Sequence, residues 1–409
     1  MRKKNVKGKV ISLLTREALL KRKIRRHLTR VGFKRDDDGV LYLPADSKEA
    51  IRAAHQMQRS ERSSKQSDFL KSRFPRLSEH FATGGEIHPE RVRPRLERVR
   101  SGTWQAELFK LASLTWSVPV SPGFGRRLRY LVWDDDNQRL MGILAIGDPV
   151  FNLRSRDDYI GWTGGQRRSQ LVHIMDAYVL GAVPPYNQLL GGKVVASLLR
   201  TKEIFDDFRV SYGDREGIIS GEIKQARLAA ITTTSSMGRS SVYNRVKLGD
   251  EFYLRPIGYS SGYGHFHIPD KLFQDLRSYL REKKHSYADD HAFGEGPNWR
   301  MRVTRTAFEL IGMRPSLMMH GVKREVFICE MATNTIEFLK GEDAQLDVSN
   351  LKTVDEVGAL ACERWLIPRA KRQTGYQQWT RQDLIDLVSK SSGVRVSLIL
   401  PKKRTRARR

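Results

Sequence analysis

The sequence predicts an α/β protein with a mixed-sheet core, set between a basic, mainly helical N-terminal region and an α+β C-terminal domain. Three observations carry that expectation. Apolar stretches over 128–133 and 140–146 flank the turn Asp134-Asp135-Asp136-Asn137, which is a hairpin pattern. The continuous apolar run over 174–183 has the length and composition of a strand buried on both faces. Segments of helical spacing alternate with these strands, as a layered α/β core requires.

The elements follow in order. A helix is expected over 15–30, with Thr15 as N-cap and Leu20, Ile24, Leu28 and Val31 on one face. Lys21, Arg22, Lys23, Arg25, Arg26 and Arg30 flank that stripe, and Gly32 ends the helix. Asp36-Asp37-Asp38-Gly39 reads as a turn before a short strand over 40–43, and a second helix is expected over 47–63. The polar stretch 60–67 reads as a linker. Helical spacing returns over 104–114 and 164–172. After the buried strand come a proline-containing loop, a helix over 194–199, a strand over 228–232 and a short helix over 240–247. Helices over 271–280, 304–311 and 355–365, with a strand over 324–329, fill the last third, and an apolar anchor at 398–400 precedes the tail. No internal repeat is visible. The domains expected are 1–100 (basic, nucleic-acid-binding), 101–269 (core), 270–400 (α+β) and the tail 401–409.

The chain has 409 residues, 73 Lys plus Arg and 46 Asp plus Glu, for a net charge of +27. Residues 1–100 carry +15 of this and the tail 401–409 carries +6, so the central 300 residues are nearly balanced. Charge placed at the two ends suits arms that track phosphates, or it serves solubility alone. Only two cysteines are present, Cys329 and Cys362, so neither a disulfide scaffold nor a four-thiolate zinc site fits. No apolar run approaches the ~18 residues needed to cross a bilayer, and a cytoplasmic protein without membrane contact is expected.

The segment 183–196 lies where the buried strand ends and a helix begins. Gly191 and Gly192 either turn backbone N–H groups toward an anion or permit close helix–sheet packing. Val183, Pro185, Gln188 and Gly191 stand at the positions of the acyl-coenzyme-A loop in the GNAT acetyltransferase superfamily, and this loop resembles it. Lys193 departs from the pattern, which asks for a small residue there. The resemblance implies a GNAT-like core that binds acyl-CoA through Gln188, Leu190, Gly191, Gly192 and Lys193. By its place in the element order, Tyr243 resembles the tyrosine that protonates a leaving thiolate in that superfamily. Asp176 is the carboxylate best placed as base, although residue type favours reading the two as a buried tyrosine and a capped aspartate. His265 and His267 stand two apart, with His291 or His320 as remote candidates, but no definite third ligand appears and no metal is expected. Arg126, Arg127, Arg129, Arg154, Arg156, Arg167, Arg168, Arg239 and Arg245, with Tyr159, Trp162 and Tyr186 among them, suit phosphate contacts and base stacking, or carboxylate pairing within the fold.

Longer runs carry a second resemblance. The stretches 116–133, 147–153, 156–162, 176–186, 188–193, 233–245 and 296–300 are similar to the Druantia anti-phage protein A family. That resemblance implies a bacterial defence operon with companions that include a helicase-type protein, and it assigns no residue a reaction. The expectation is a defence component that binds nucleic acid, DNA ahead of RNA, through Arg22, Arg25, Arg26 and the arginines of the core. The alternative is an acyl-CoA-dependent transferase acting on a nucleobase or protein amine.

Overall fold

The computed structural model describes residues 15–38, 41–44, 48–121, 123, 125–214, 225–265, 267–289 and 297–398. The tail 401–409, the end of the apolar anchor and His291 lie outside them. The chain forms two compact units, one built from residues 1–46 and 263–321 and the other from 47–262 and 322–409.

In the first unit, helix Arg16–Arg30 forms as expected, and the Thr15 side chain accepts from Ala18 N. Its buried stripe of Leu20, Ile24, His27 and Leu28 leaves Arg22, Arg25 and Arg26 exposed. The short strands β1 (Lys34–Arg35) and β2 (Leu41–Tyr42) pair antiparallel across the acidic turn. Helices Asp270–Glu282 and Pro297–Leu310 complete the unit. His27 Nε2 lies 2.8 Å from His267 O, and His267 Nε2 lies 2.8 Å from Leu317 O. Burial pushes the His267 imidazole down to about 4, so it is neutral at pH 7. No group of three potential metal ligands occurs among the described residues.

The second unit holds an eight-stranded sheet of β3 (Pro94–Arg98), β4 (Arg127–Asp134), β5 (Arg139–Gly147), β6 (Ile174–Ala182), β7 (Ala230–Thr234), β8 (Val246–Leu248), β9 (Glu251–Tyr259) and β10 (Glu325–Glu330). The spatial order is β3-β4-β5-β6-β7-β10-β9-β8, and only β6 and β7 run parallel. Alternation along β4 decides the layers. Leu128, Tyr130 and Val132 face helices Gly191–Ser197, Lys202–Tyr212 and Val354–Ala361, while Leu131 and Trp133 face helices Ser67–Leu77, Trp104–Leu114 and Arg381–Ser392. Both cysteines are buried, and burial pushes their thiols up to about 12.

Three sequence expectations need correction. The stretch 60–67 is not a linker: helix Lys48–Ser64 runs into it, and helix Ser67–Leu77 follows after a two-residue turn. Residues 240–247 form no helix. Ser240 Oγ accepts from Tyr243 N at 2.9 Å, and Glu325 Oε2 accepts from Ser240 N, so side chains capture the donors as a turn would. The sheet takes strands from 94–98 and 325–330, outside the 101–269 span assigned to the core.

Gly142 of β5 shows how tightly the sheet meets helix Gly191–Ser197: a Cβ there would lie 2.6 Å from Val195 Cγ2 and 2.7 Å from Gly181 O. Gly142→Ala should destabilise by about 1–3 kcal/mol through overpacking. Gly165→Ala, where nothing lies within 4 Å, should leave the melting temperature unchanged or slightly higher. Thermal melts of the two variants beside wild type check both.

Candidate nucleic-acid interface

An open hollow of the second unit lies against the face of the sheet that carries helix Trp104–Leu114. Thr103 caps that helix by accepting from Ala106 N, and Leu108, Leu111 and Ala112 anchor it in the core. Its remaining face presents Phe109, Lys110 and Ser113 to the hollow. Trp116, Val118, Pro119, Val120 and Ser121 border it, and Trp116 lies over Gly181 of β6. Strand alternation sets Arg127 and Arg129 of β4 on this side, together with Tyr178 of β6. The end of helix Lys48–Ser64 and its turn add Arg59, Ser63, Lys65 and Gln66.

The result is a cleft of about 590 Å³ with Phe109, Leu114, Trp116 and Tyr178 as apolar surface and Arg59, Lys65, Lys110, Arg127 and Arg129 around it. No carboxylate lines it among the described residues. Burial lowers the pKa of Lys110 and of Arg59, so both cations carry a desolvation cost that an anion would offset. Lys110 Nζ sits 4.1 Å from the Phe69 ring, and Arg129 donates to Ser101 Oγ at 3.1 Å while lying over Phe109. Tyr178 Oη has no hydrogen-bond partner among the described residues. Aromatic faces beside cations can stack bases and hold phosphates, with no need for a base-specific contact.

The arginines singled out from the sequence divide by what already holds them. Arg126 is consumed by the fold: Nε donates to Asp148 at 2.6 Å and Nη1 to Val172 O at 2.7 Å. Arg167 donates to Asp157 at 3.0 Å, which also binds the fully buried Arg156. Arg168 is exposed, Arg127 lines the cleft, and Arg239 borders a second hollow. Arg22, Arg25 and Arg26 sit on the first unit's exposed helix face.

The glycine loop is held by its own contacts. A Cβ on Gly191 would lie 2.7 Å from Tyr186 O, and one on Gly192 would lie 3.0 Å from Val242 Cγ1. Gly191 therefore faces its own loop backbone. Leu190 takes φ +57, and the Gln188 carbonyl accepts from Arg369 Nε at 3.3 Å. Lys193, 9% exposed, donates to Val242 O at 3.1 Å and to Asn244 O. Tyr243 Oη donates to Leu180 O at 2.7 Å, and burial, with the nearby charge of Asp176, raises its pKa. Asp176 accepts from Thr232 Oγ1 at 2.8 Å. Lys193 and Tyr243 are thus engaged with main-chain carbonyls, and Asp176 with the Thr232 hydroxyl. Sequence reasoning missed Arg59, Lys65, Lys110, Trp116 and Tyr178, because sheet topology and not any local motif brings them together.

The family model described as Druantia protein DruA matches residues 45–341. The Druantia protein DruA of Escherichia coli (strain UMEA 4076-1) is 54% identical over 383 residues, covering 94% of this chain and 95% of that protein. The chain belongs to the Druantia protein DruA family. It is therefore a component of the Druantia anti-phage defence system, and membership implies other proteins of the defence operon. No solved structure matches this DruA family member. Among its described residues no helix is long and apolar enough to cross a membrane.

Asp176 gives a test of how the β6–β7 region is built. Burial raises its pKa to about 6, against the opposing effects of the Thr232 hydrogen bond and the Arg156 charge. The folded state therefore binds more protons than the unfolded chain between pH ~4 and ~6, and charge burial costs stability above that window. Asp176→Asn keeps the acceptor for Thr232 and should raise stability by about 2–3 kcal/mol at pH 7.5. The gain should shrink through pH 6 and vanish below pH ~4, as followed by thermal melts across pH.

Proposed function

We propose that this DruA family member is the nucleic-acid-binding component of its Druantia system, and that the cleft beside helix Trp104–Leu114 holds a single strand. The observation that carries this reading is the cleft's composition: an apolar surface that includes the rings of Phe109, Trp116 and Tyr178, next to five cations and, among the described residues, no carboxylate. A single strand can present unstacked bases to such a surface, whereas a duplex keeps its bases stacked. The net charge of +27 supports the same partner, as does the exposed cationic face of helix Arg16–Arg30. A helicase-type companion, implied by the family resemblance, would supply unwound DNA.

Two variants separate stacking from charge. Trp116→Ala should weaken binding of a single-stranded oligonucleotide by about 1–3 kcal/mol without altering the salt slope. Lys110→Ala combined with Arg127→Ala should lower the slope of log K against log salt by about 1.4, at ~0.7 per phosphate contact. Fluorescence anisotropy over a salt series reads both, and unchanged affinity and slope in all three substitutions would remove the cleft from consideration.

Helix Arg16–Arg30 needs a different test. Deleting it would remove Leu20, Ile24 and Leu28 from the first unit's core, so the substitutions Arg22→Ala, Arg25→Ala and Arg26→Ala are the informative change. If these side chains contact phosphates, the triple variant should lose about 2 from the single-strand salt slope. Its melting temperature should stay at the wild-type value, because all three are exposed.

A further inference from the structure

The second hollow of this unit, about 540 Å³, is lined by Lys193, Arg239, Arg245 and Arg364, with Ser240, Ser241, Asn244 and Trp365. No carboxylate lines it among the described residues. Glu325, which accepts from Ser240 N, is buried and is not part of the lining. Arg239, Arg245 and Arg364 are exposed, and none of them makes an ion pair among the described residues. Four cations around one cavity repel each other, and no carboxylate in the described lining offsets that repulsion.

The backbone is irregular at each place that supplies the lining. Arg245 is held at φ +58, a left-handed conformation that costs a non-glycine residue of order 1 kcal/mol. Leu190, three residues before Lys193, takes φ +57. Arg364 and Trp365 sit on a single π-helical turn, Cys362–Leu366, between two α-helices. Lys193 is tied to Val242 O and Asn244 O, which uses two of its three N–H donors and fixes the segment that bears Arg245. Burial and the Arg245 charge pull the Lys193 ammonium down to about 8, a penalty that a bound anion would relieve.

We propose that this hollow is a binding site for the phosphate group of a nucleotide, with Arg239, Arg245 and Arg364 as the phosphate ligands and Lys193 as their anchored neighbour. The volume falls in the range of small-ligand pockets and exceeds what one phosphate needs, so the rest of a nucleotide fits beside it. Guanidinium forks with hydroxyl and amide donors suit phosphate oxygens, which accept several hydrogen bonds at once. The phosphate has two sources with the same chemistry, a free nucleotide or the phosphorylated end of a strand. The hollow borders the opposite sheet face from the stacking cleft, and its assignment does not depend on that cleft.

ADP is the probe, with adenosine as the control that lacks phosphate, titrated calorimetrically into the full-length protein with no strand present. ADP should bind at least tenfold more tightly than adenosine. Arg245→Gly should weaken ADP binding at least tenfold while keeping or raising the melting temperature, because glycine accepts φ +58 without strain. Arg364→Ala, at an exposed position, should weaken ADP equally with an unchanged melt. A 5′-phosphorylated oligonucleotide that displaces ADP tenfold better than its 5′-hydroxyl counterpart identifies the strand end as source. Equal competition by the two, with ADP still bound tightly, identifies the free nucleotide. ADP that binds no better than adenosine, or that ignores both substitutions, overturns the proposal. Because no strand is present in the ADP titration, failure of the cleft would leave this result standing.

Discussion

Strands β6 and β7 run parallel over only three residue pairs, Ile174–Ala230, Met175–Ile231 and Asp176–Thr232, and much of the second unit is a consequence. Beyond Asp176 the β6 carbonyls on that side have no strand partner, yet buried carbonyls must be satisfied. Side chains do this instead: Thr233 Oγ1 donates to Ala177 O and Tyr243 Oη donates to Leu180 O. Parallel strands also need a long crossover, and this one carries the glycine loop and helices Gly191–Ser197 and Lys202–Tyr212. Tyr243 is held at the gap by its bond to β6, and Lys193 holds the two residues flanking it, Val242 and Asn244, by their carbonyls. The segment 239–245 is thereby fixed across the crossover helix.

The same requirement sorts the cations. Some arginines near the sheet find carboxylate and carbonyl acceptors within the fold, and others line a hollow that has no carboxylate among the described residues. Arg126 takes Asp148 and two main-chain carbonyls, Arg156 takes Asp157, and Arg200 takes Glu251 and the Glu330 carbonyl. These are desolvated groups whose loss would leave acceptors unpaired, so they belong to stability more than to recognition. The side chains around the two hollows have no such carboxylate beside them in the lining. A count of arginines along the sequence cannot draw this distinction, because Arg126 and Arg127 are neighbours in the chain, yet Arg126 is bonded to Asp148 while Arg127 lines the cleft.

Local patterns were legible where one element determines its own burial. The helix from Arg16, the β4–β5 hairpin and the buried strand β6 follow from spacing and capping alone. Strand β9 was not legible: Pro256 and Gly258 interrupt it, and its burial does not alternate. The turn at 241–245 has the serines and apolar residues of a helix start, but the bond from Ser240 N to Glu325 and the bond within the segment prevail over propensity. The glycine loop was legible as a tight structure and not as a site. Gly191 is small because Tyr186 O approaches it, and no pattern of residue types distinguishes that from approach by a ligand.

Where the two hollows lie therefore depends on contacts far apart in sequence. Trp116 and Tyr178 share a cleft with Arg59 because helix Lys48–Ser64 ends against the same sheet face as helix Trp104–Leu114. Lys193 and Arg364 share a hollow because the crossover helix packs beside the π-helical turn at Cys362–Leu366. Lys193 shows why the two roles of a cation need not conflict. Its two carbonyl bonds hold the segment that carries Arg245, yet they leave it charged at neutral pH and still part of the lining. A small residue at this position would free the loop, remove that charge and leave both carbonyls without their donor. The departure from the coenzyme-loop pattern at Lys193 thus places a main-chain-anchored cation in the lining of this hollow.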